Sequence, residues 1–147
     1  MKKFSIKVIS KLELEGEYLV AYGQIRIGSF KERFRMAIAE WTIKDYKKQW
    51  REAIKRLKDH DISCFIFFAA NMAKSPYVSM YSLYKVEGTV FIRERLIPSD
   101  NTPYHPYLRN EDINAQNCYE FIPPREHTEG VWEKSVALAD VENFKVV

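Results

Sequence analysis

Residues 42–57 carry the feature that most limits how this chain can fold: a capped helix with an apolar stripe too large to leave in water. Thr42 suits an N-cap, and Asp45 follows three residues later in the first turn. That is a capping-box-like start with its acid at the positive end of the helix dipole. Ile43, Tyr46, Trp50, Ala53, Ile54 and Leu57 then recur at helical steps and form one stripe. Lys44, Lys47, Lys48, Arg51, Lys55 and Lys58 occupy the remaining surface. A stripe holding Tyr46 and Trp50 needs a broad partner. The flanking segments read as strands, so a helix over about 43–58 is expected to lie across a sheet, with its basic side a solvated face.

The segments before it alternate with a period of two. Phe4, Ile6 and Val8, then Leu12 and Leu14, read as a first strand, closed by a turn at Glu15-Gly16-Glu17 where Gly16 is free to take positive φ. Tyr18–Ile27 is a second strand. Phe30, Glu32, Phe34, Met36 and Ile38 alternate with Lys31, Arg33, Arg35 and Ala37, giving a third strand with one strongly basic face. Tight turns between them make an antiparallel meander.

After the helix, Ile62–Ala70 is an apolar run, too short for an ordinary buried helix and rich in β-formers. It is expected to be a central strand covered on both sides. Asn71–Pro76 is a loop, and Tyr77–Val86 and Thr89–Ile97 flank Glu87-Gly88 as a hairpin. Ser99–Asn117, with two prolines, several Asn and no periodicity, reads as a long loop of the kind that carries function. Cys118–Ile122 is a short strand or helical turn, stopped by Pro123-Pro124. Val131–Leu138 is a last strand, and Asp140 is placed to cap a short helix over Val141–Phe144. The fold class is therefore α+β: seven or eight strands in antiparallel sheets, one long helix and a short C-terminal one.

With 147 residues, no linker and no internal repeat, a single domain spanning 1–147 is expected. No apolar run approaches the length that spans a bilayer, and the basic N-terminus lacks a signal peptide's apolar core, so a cytoplasmic protein with no membrane partner is expected. Cys64 and Cys118 lie far apart, with no CxxC and no Cys/His metal spacing. They are expected to be reduced structural thiols, with no metal site. The net charge of +3 is unevenly distributed. Residues 31–60 hold ten bases and five acids, 10 − 5 = +5; residues 110–147 hold three bases and eight acids, 3 − 8 = −5. Each end suits a partner of opposite sign.

Enzyme motifs are absent: no GxGxxG, P-loop, GxSxG or HExxH occurs. His60, His105 and His127 are scattered, and no nucleophile–base spacing emerges, so no catalytic residue, cofactor or enzymatic activity is expected. Two binding readings remain. Lys31, Arg33 and Arg35 on one strand face, with Tyr77, Tyr81 and Tyr84 beyond, suit single-stranded nucleic acid. A protein partner fits the layout better, with Tyr104, Tyr107 and Tyr119 as aromatic anchors beside Asp100, Glu111, Asp112 and Glu120.

Three blocks also carry a family resemblance. The run from Met36 through Trp41, Ile43, Asp45-Tyr46 and Trp50 resembles a segment of contact-dependent growth inhibition immunity proteins. Leu83-Tyr84-Lys85 leading through Gly88 into Val90–Arg93 is similar to that family's hairpin. Phe121–Glu126, with Thr128, Gly130 and Trp132 after it, is similar to its C-terminal signature. The resemblance implies an antitoxin that binds the C-terminal toxin domain of a CdiA effector. It points to the branch that neutralises a 16S rRNA-cleaving toxin, a nuclease inhibitor with a Whirly-like pair of antiparallel sheets. The toxin-binding residues expected from the aromatic and acidic layout, and not carried over from the family, are Asp100, Tyr104, Tyr107, Glu111, Asp112 and Glu120.

Overall fold

The computed structural model describes residues 3–39, 41–69, 77–98, 115–126 and 131–147. The first sheet holds β1 (Phe4–Val8), β2 (Glu13–Glu15), β3 (Tyr18–Ile27) and β4 (Phe30–Ala37). The first strand expected from sequence is thus two short pieces, β1 and β2, lined up along the same side of β3. β4 pairs with the other side. Gly16 takes φ 63° in the β2–β3 turn, a conformation that glycine adopts without a Cβ clash.

The second sheet runs in the order β5 (Ile62–Phe68), β6 (Tyr77–Val86), β7 (Thr89–Pro98) and β8 (Lys134–Ala137), all antiparallel. β6 and β7 form the expected hairpin, with Glu87 at φ 55° in its turn. A 3₁₀ turn covers Cys118–Phe121, and α2 covers Leu138–Glu142. α2 begins earlier than expected: Ala137 is its N-cap and makes no side-chain cap bond, while Asp140 sits in the first turn. The last strand is shorter than the expected Val131–Leu138, covering Lys134–Ala137, and Leu138 is already the first residue of α2.

The inner faces of the two sheets meet through aromatic rings. Phe4 stacks on Phe65 at 5.8 Å, and Phe34 lies between Phe67 at 5.1 Å and Tyr81 at 5.9 Å. Phe34 fits because Gly23 stands opposite it on β3 with no side chain: a Cβ there would lie 2.3 Å from the ring. Tyr81 also donates to Glu32 of β4 at 2.5 Å, tying the sheets by a polar contact.

α1 (Ile43–Arg56) starts with the expected capping box: Asp45 N–H donates to Thr42 Oγ1 at 3.2 Å, and Thr42 N–H to Asp45 Oδ2 at 2.8 Å. The Thr42 N–H, and then the Thr42 hydroxyl at 3.0 Å, both donate to Oδ2 and hold the Asp45 carboxyl below its ordinary range. Tyr46, Trp50, Ala53, Ile54 and Leu57 are buried as the stripe requires. The placement differs from expectation in one respect. β5 is the edge strand of its sheet, not a central one, and α1 runs along its free edge.

The reason is hydrogen bonding. An edge strand leaves a row of unpaired N–H and C=O groups, which must be satisfied when buried. α1 satisfies them with side chains. Gln49 donates to the Cys64 carbonyl and accepts from Ile66 N–H, both at 2.8 Å, standing in for a neighbouring peptide group. Trp50 Nε1 donates to the Ile66 carbonyl at 2.8 Å, and Arg56 Nε to the Ile62 carbonyl at 2.8 Å. Tyr46 Oη accepts from Ala69 N–H at 2.9 Å and donates to the Ala37 carbonyl at 2.6 Å, joining β5 to the end of β4. Burying the Trp50 ring contributes on the order of 4–6 kcal/mol before entropy is counted. Each hydrogen bond adds only about 1 kcal/mol net. Burial holds the helix to the core, and the polar contacts decide where along β5 it sits.

Among the described residues no helix is long and apolar enough to cross a membrane.

Candidate functional site

Of the six expected partner-facing residues, Asp100, Tyr104, Tyr107, Glu111 and Asp112 lie outside the described residues. Glu120 is described, and it is exposed on the Cys118–Phe121 turn. The turn is built around it. Glu120 N–H donates to the Asn117 carbonyl at 2.9 Å, and Ile122 N–H to the Tyr119 carbonyl at 3.2 Å. Cys118, Phe121 and Ile122 are buried and anchor the turn in the core. Tyr119 is clamped from the helix side, with the Arg56 guanidinium 3.3 Å from its ring centre, a cation–π contact. Arg56 therefore does two things, closing the β5 edge at Ile62 and fixing the aromatic neighbour of Glu120.

Beyond the turn, the segment through Glu126 lies as a strap over the outer face of the second sheet. Tyr84 Oη donates to the Pro123 carbonyl at 2.7 Å and accepts from Arg95 Nη2 at 2.7 Å. Arg93, only 5% exposed, donates to the Glu126 carbonyl at 2.6 Å and to Glu133 Oε2 at 2.6 Å. Arg125 pairs with Glu133 at 2.9 Å and covers the Phe91 ring at 3.8 Å. Burial alone would raise the Glu133 carboxyl, but the hydrogen bonds from Arg125 and Arg93 outweigh it and hold the group below its ordinary range. Glu133 is thus neutralised inside the molecule, while Glu120, Glu126 and Glu142 remain exposed.

Between α1 and the turn lies an open cleft of about 390 Å³, with Gln49, Arg56, His60, Cys64, Cys118 and Tyr119 in its wall. Its lining mixes acids, bases and sulfur. Among the described residues no group of three or more His, Cys, Asp or Glu is placed to hold a metal ion.

The basic strand face is present and wider than sequence alternation alone indicates. Lys31, Arg33 and Arg35 are exposed on β4, and the register sets Arg26 of β3 beside Lys31 and Ser5, with Lys7 of β1 opposite Gln24. Arg26 and Lys7 were findable from the alternation of their own strands, but only the pairing register adds them to this face. The aromatic half of the nucleic-acid reading does not come together. Tyr81 and Tyr84 are buried and unable to stack on bases, and the Tyr77 side chain lies outside those described. Tyr22 does lie on the basic face, but Arg33 covers its ring at 3.9 Å and its hydroxyl donates to Glu15 at 2.6 Å.

No curated protein matches the chain. Among solved structures it is similar to the CdiA-CT/CdiI toxin and immunity complex from Enterobacter cloacae, with a TM-score of 0.79 at 20% identity, over 94% of this chain and 92% of that one. At that identity the likeness is one of fold. The family model for the CdiI N-terminal domain matches residues 36–144, from the end of β4 through α1, the second sheet and the strap to just beyond α2. The chain therefore belongs to the CdiI N-terminal domain family, the immunity proteins of contact-dependent growth inhibition.

Proposed function

We propose that this protein neutralises the C-terminal toxin domain of a CdiA effector by stoichiometric binding in the cytoplasm, covering the toxin's active site or substrate surface with no reaction of its own. The observation that carries this reading is the family match over residues 36–144. It is supported by the fold shared with a chain of the E. cloacae toxin and immunity complex.

The contact surface we propose is the segment holding Asp100, Tyr104, Tyr107, Glu111 and Asp112, continued by Glu120 on the turn that Arg56 and the buried Cys118 and Phe121 hold in place. Tyr104 and Tyr107 serve as apolar anchors, because tyrosine offers large contact area at little entropy cost. The acids steer a basic partner. A nuclease presents such a surface, since it must hold phosphates, and we take the toxin to be one.

Two measurements test this. Co-expression with a candidate CdiA C-terminal toxin domain is expected to give a complex of equal stoichiometry and to restore growth; failure of both ends the immunity reading for that toxin. In stopped-flow association, the double variant Glu111→Lys with Asp112→Lys is expected to bind more slowly, with a weaker dependence on salt. An on-rate unchanged across salt removes that patch from the interface. The basic face of the first sheet, Lys7, Arg26, Lys31, Arg33 and Arg35, supports a second reading as a single-strand binder. Silence in a low-salt titration with a fluorescent oligonucleotide retires it.

A further inference from the structure

We propose that Cys64 and Cys118 are a reversible disulfide site, which on oxidation links β5 to the turn at the head of the strap. The two residues lie 54 positions apart, yet their Sγ atoms are 2.7 Å from each other. That is inside the contact distance of unbonded sulfurs and near enough to the roughly 2.05 Å of a disulfide bond that little movement is needed to close it. Both are free thiols and both are buried, at 1% exposed. Two independent features bring them together. Cys64 points from the outer face of the second sheet, where Ser82 is its cross-strand partner, and Cys118 is carried there by the 3₁₀ turn. Gln49 Nε2, already bonded to the Cys64 carbonyl, also reaches Cys118 Sγ at 3.6 Å.

The cleft of about 390 Å³ beside α1 has both cysteines among its lining residues, with Lys55 and Arg56 balanced by Glu52 and Asp59, and it is the side from which an oxidant would approach the buried sulfurs. The co-reactant is a small-molecule disulfide of the glutathione class. One cysteine thiolate attacks its S–S bond, giving a mixed disulfide and releasing one thiolate. The second cysteine thiolate then attacks the protein-bound sulfur, forming the Cys64–Cys118 bond and releasing the other. Two protein thiols lose two electrons and two protons, and the small disulfide is reduced to two thiols. Burial, then the hydrogen bond with Cys118, pushes the Cys64 thiol well above its ordinary range, so exchange is slow near neutrality and quickens as pH rises. The link would fasten the residues that present Tyr119 and Glu120 to the sheet, and it does not depend on the identity of any partner.

The experiment uses the full-length chain in glutathione buffers running from fully reduced to fully oxidised, without denaturant. Samples are quenched in acid, unfolded, alkylated with N-ethylmaleimide and weighed intact, then peptide-mapped. The expected product carries no alkyl group, is monomeric, is lighter by two hydrogens and yields one peptide pair joining Cys64 to Cys118. It is expected to melt about 5 °C or more above the reduced form, because a link this far apart in sequence restricts the unfolded chain. Two thiols that remain fully alkylated in the most oxidising buffer overturn the proposal. So does a product that stops as a glutathione adduct or an intermolecular dimer, or a closed disulfide that the reducing end of the buffer series fails to reopen.

Discussion

Replacing Gln49 with leucine tests whether side chains truly complete the edge of β5. Leucine has nearly the volume of glutamine, so the substitution opens little space while leaving the Cys64 carbonyl and the Ile66 N–H without the partners they hold at 2.8 Å. Gln49 is 2% exposed, so neither group gains bulk water in exchange. An orphaned buried polar group costs about 1–3 kcal/mol, and two of them cost about 2–6 kcal/mol. Burying the more apolar side chain returns about 1 kcal/mol. The expected net loss for Gln49→Leu is about 1–5 kcal/mol, which for a chain of this size lowers the melting temperature by roughly 2–20 °C. Urea unfolding followed by tryptophan fluorescence is the assay, with the midpoint falling and the slope unchanged. Lys48→Leu, one position along on the exposed side, is the control and is expected to stay within about 0.5 kcal/mol of wild type. A loss under about 1 kcal/mol for Gln49→Leu would refute the reasoning: water entering from the adjoining cleft would then be satisfying the strand.

Two other substitutions probe the inner faces of the sheets. Gly23→Ala drives a methyl to 2.3 Å from the Phe34 ring and 3.1 Å from the Lys7 carbonyl, and is expected to destabilise by about 1–3 kcal/mol in the same urea assay. Glu94, paired across β6 and β7 with Tyr81, has its carboxyl raised by partial burial and then by the nearby charge of Glu32. The native state therefore holds this proton more tightly than the unfolded chain does. That stabilisation is complete below the unfolded value near 4.5 and is lost as pH rises through the folded one. Glu94→Gln is thus expected to be more stable than wild type at pH 7, by less than about 1 kcal/mol because the residue is exposed, with the gap closing in acid. Unfolding midpoints at several pH values read this directly.

Much of the frame is written locally. The Thr42–Asp45 cap, the apolar stripe of α1, the alternation of β3 and β4 and the turn at Glu87-Gly88 all follow from short-range chemistry, and each is present where its residues place it. What local pattern does not encode is lateral position. The run Ile62–Phe68 reports burial on both faces, but nothing in it says that one of its hydrogen-bonding edges meets a helix and not another strand. Gln49 belongs to neither the apolar stripe nor the basic face of α1, and nothing in its sequence neighbourhood marks it for burial. Its burial becomes intelligible only once the bare carbonyl and amide of β5 are opposite it. Cys64 and Cys118 meet across 54 residues, a contact no spacing rule anticipates. The Asp100–Asp112 segment has no periodicity from which a placement can be built, and of the expected site only Glu120 acquires a structural setting.

The way α1 occupies β5 also restricts how another protein can be recognised on that side. Many binding proteins capture an extended segment of their partner by letting it join a sheet, so that main-chain groups supply affinity with little regard to side chains. Here the carbonyls of Ile62, Cys64 and Ile66 and the Ile66 N–H are already engaged by Arg56, Gln49 and Trp50, so α1 occupies the edge that a donated strand would need. A toxin approaching there would meet the side chains of α1 and not an open strand edge.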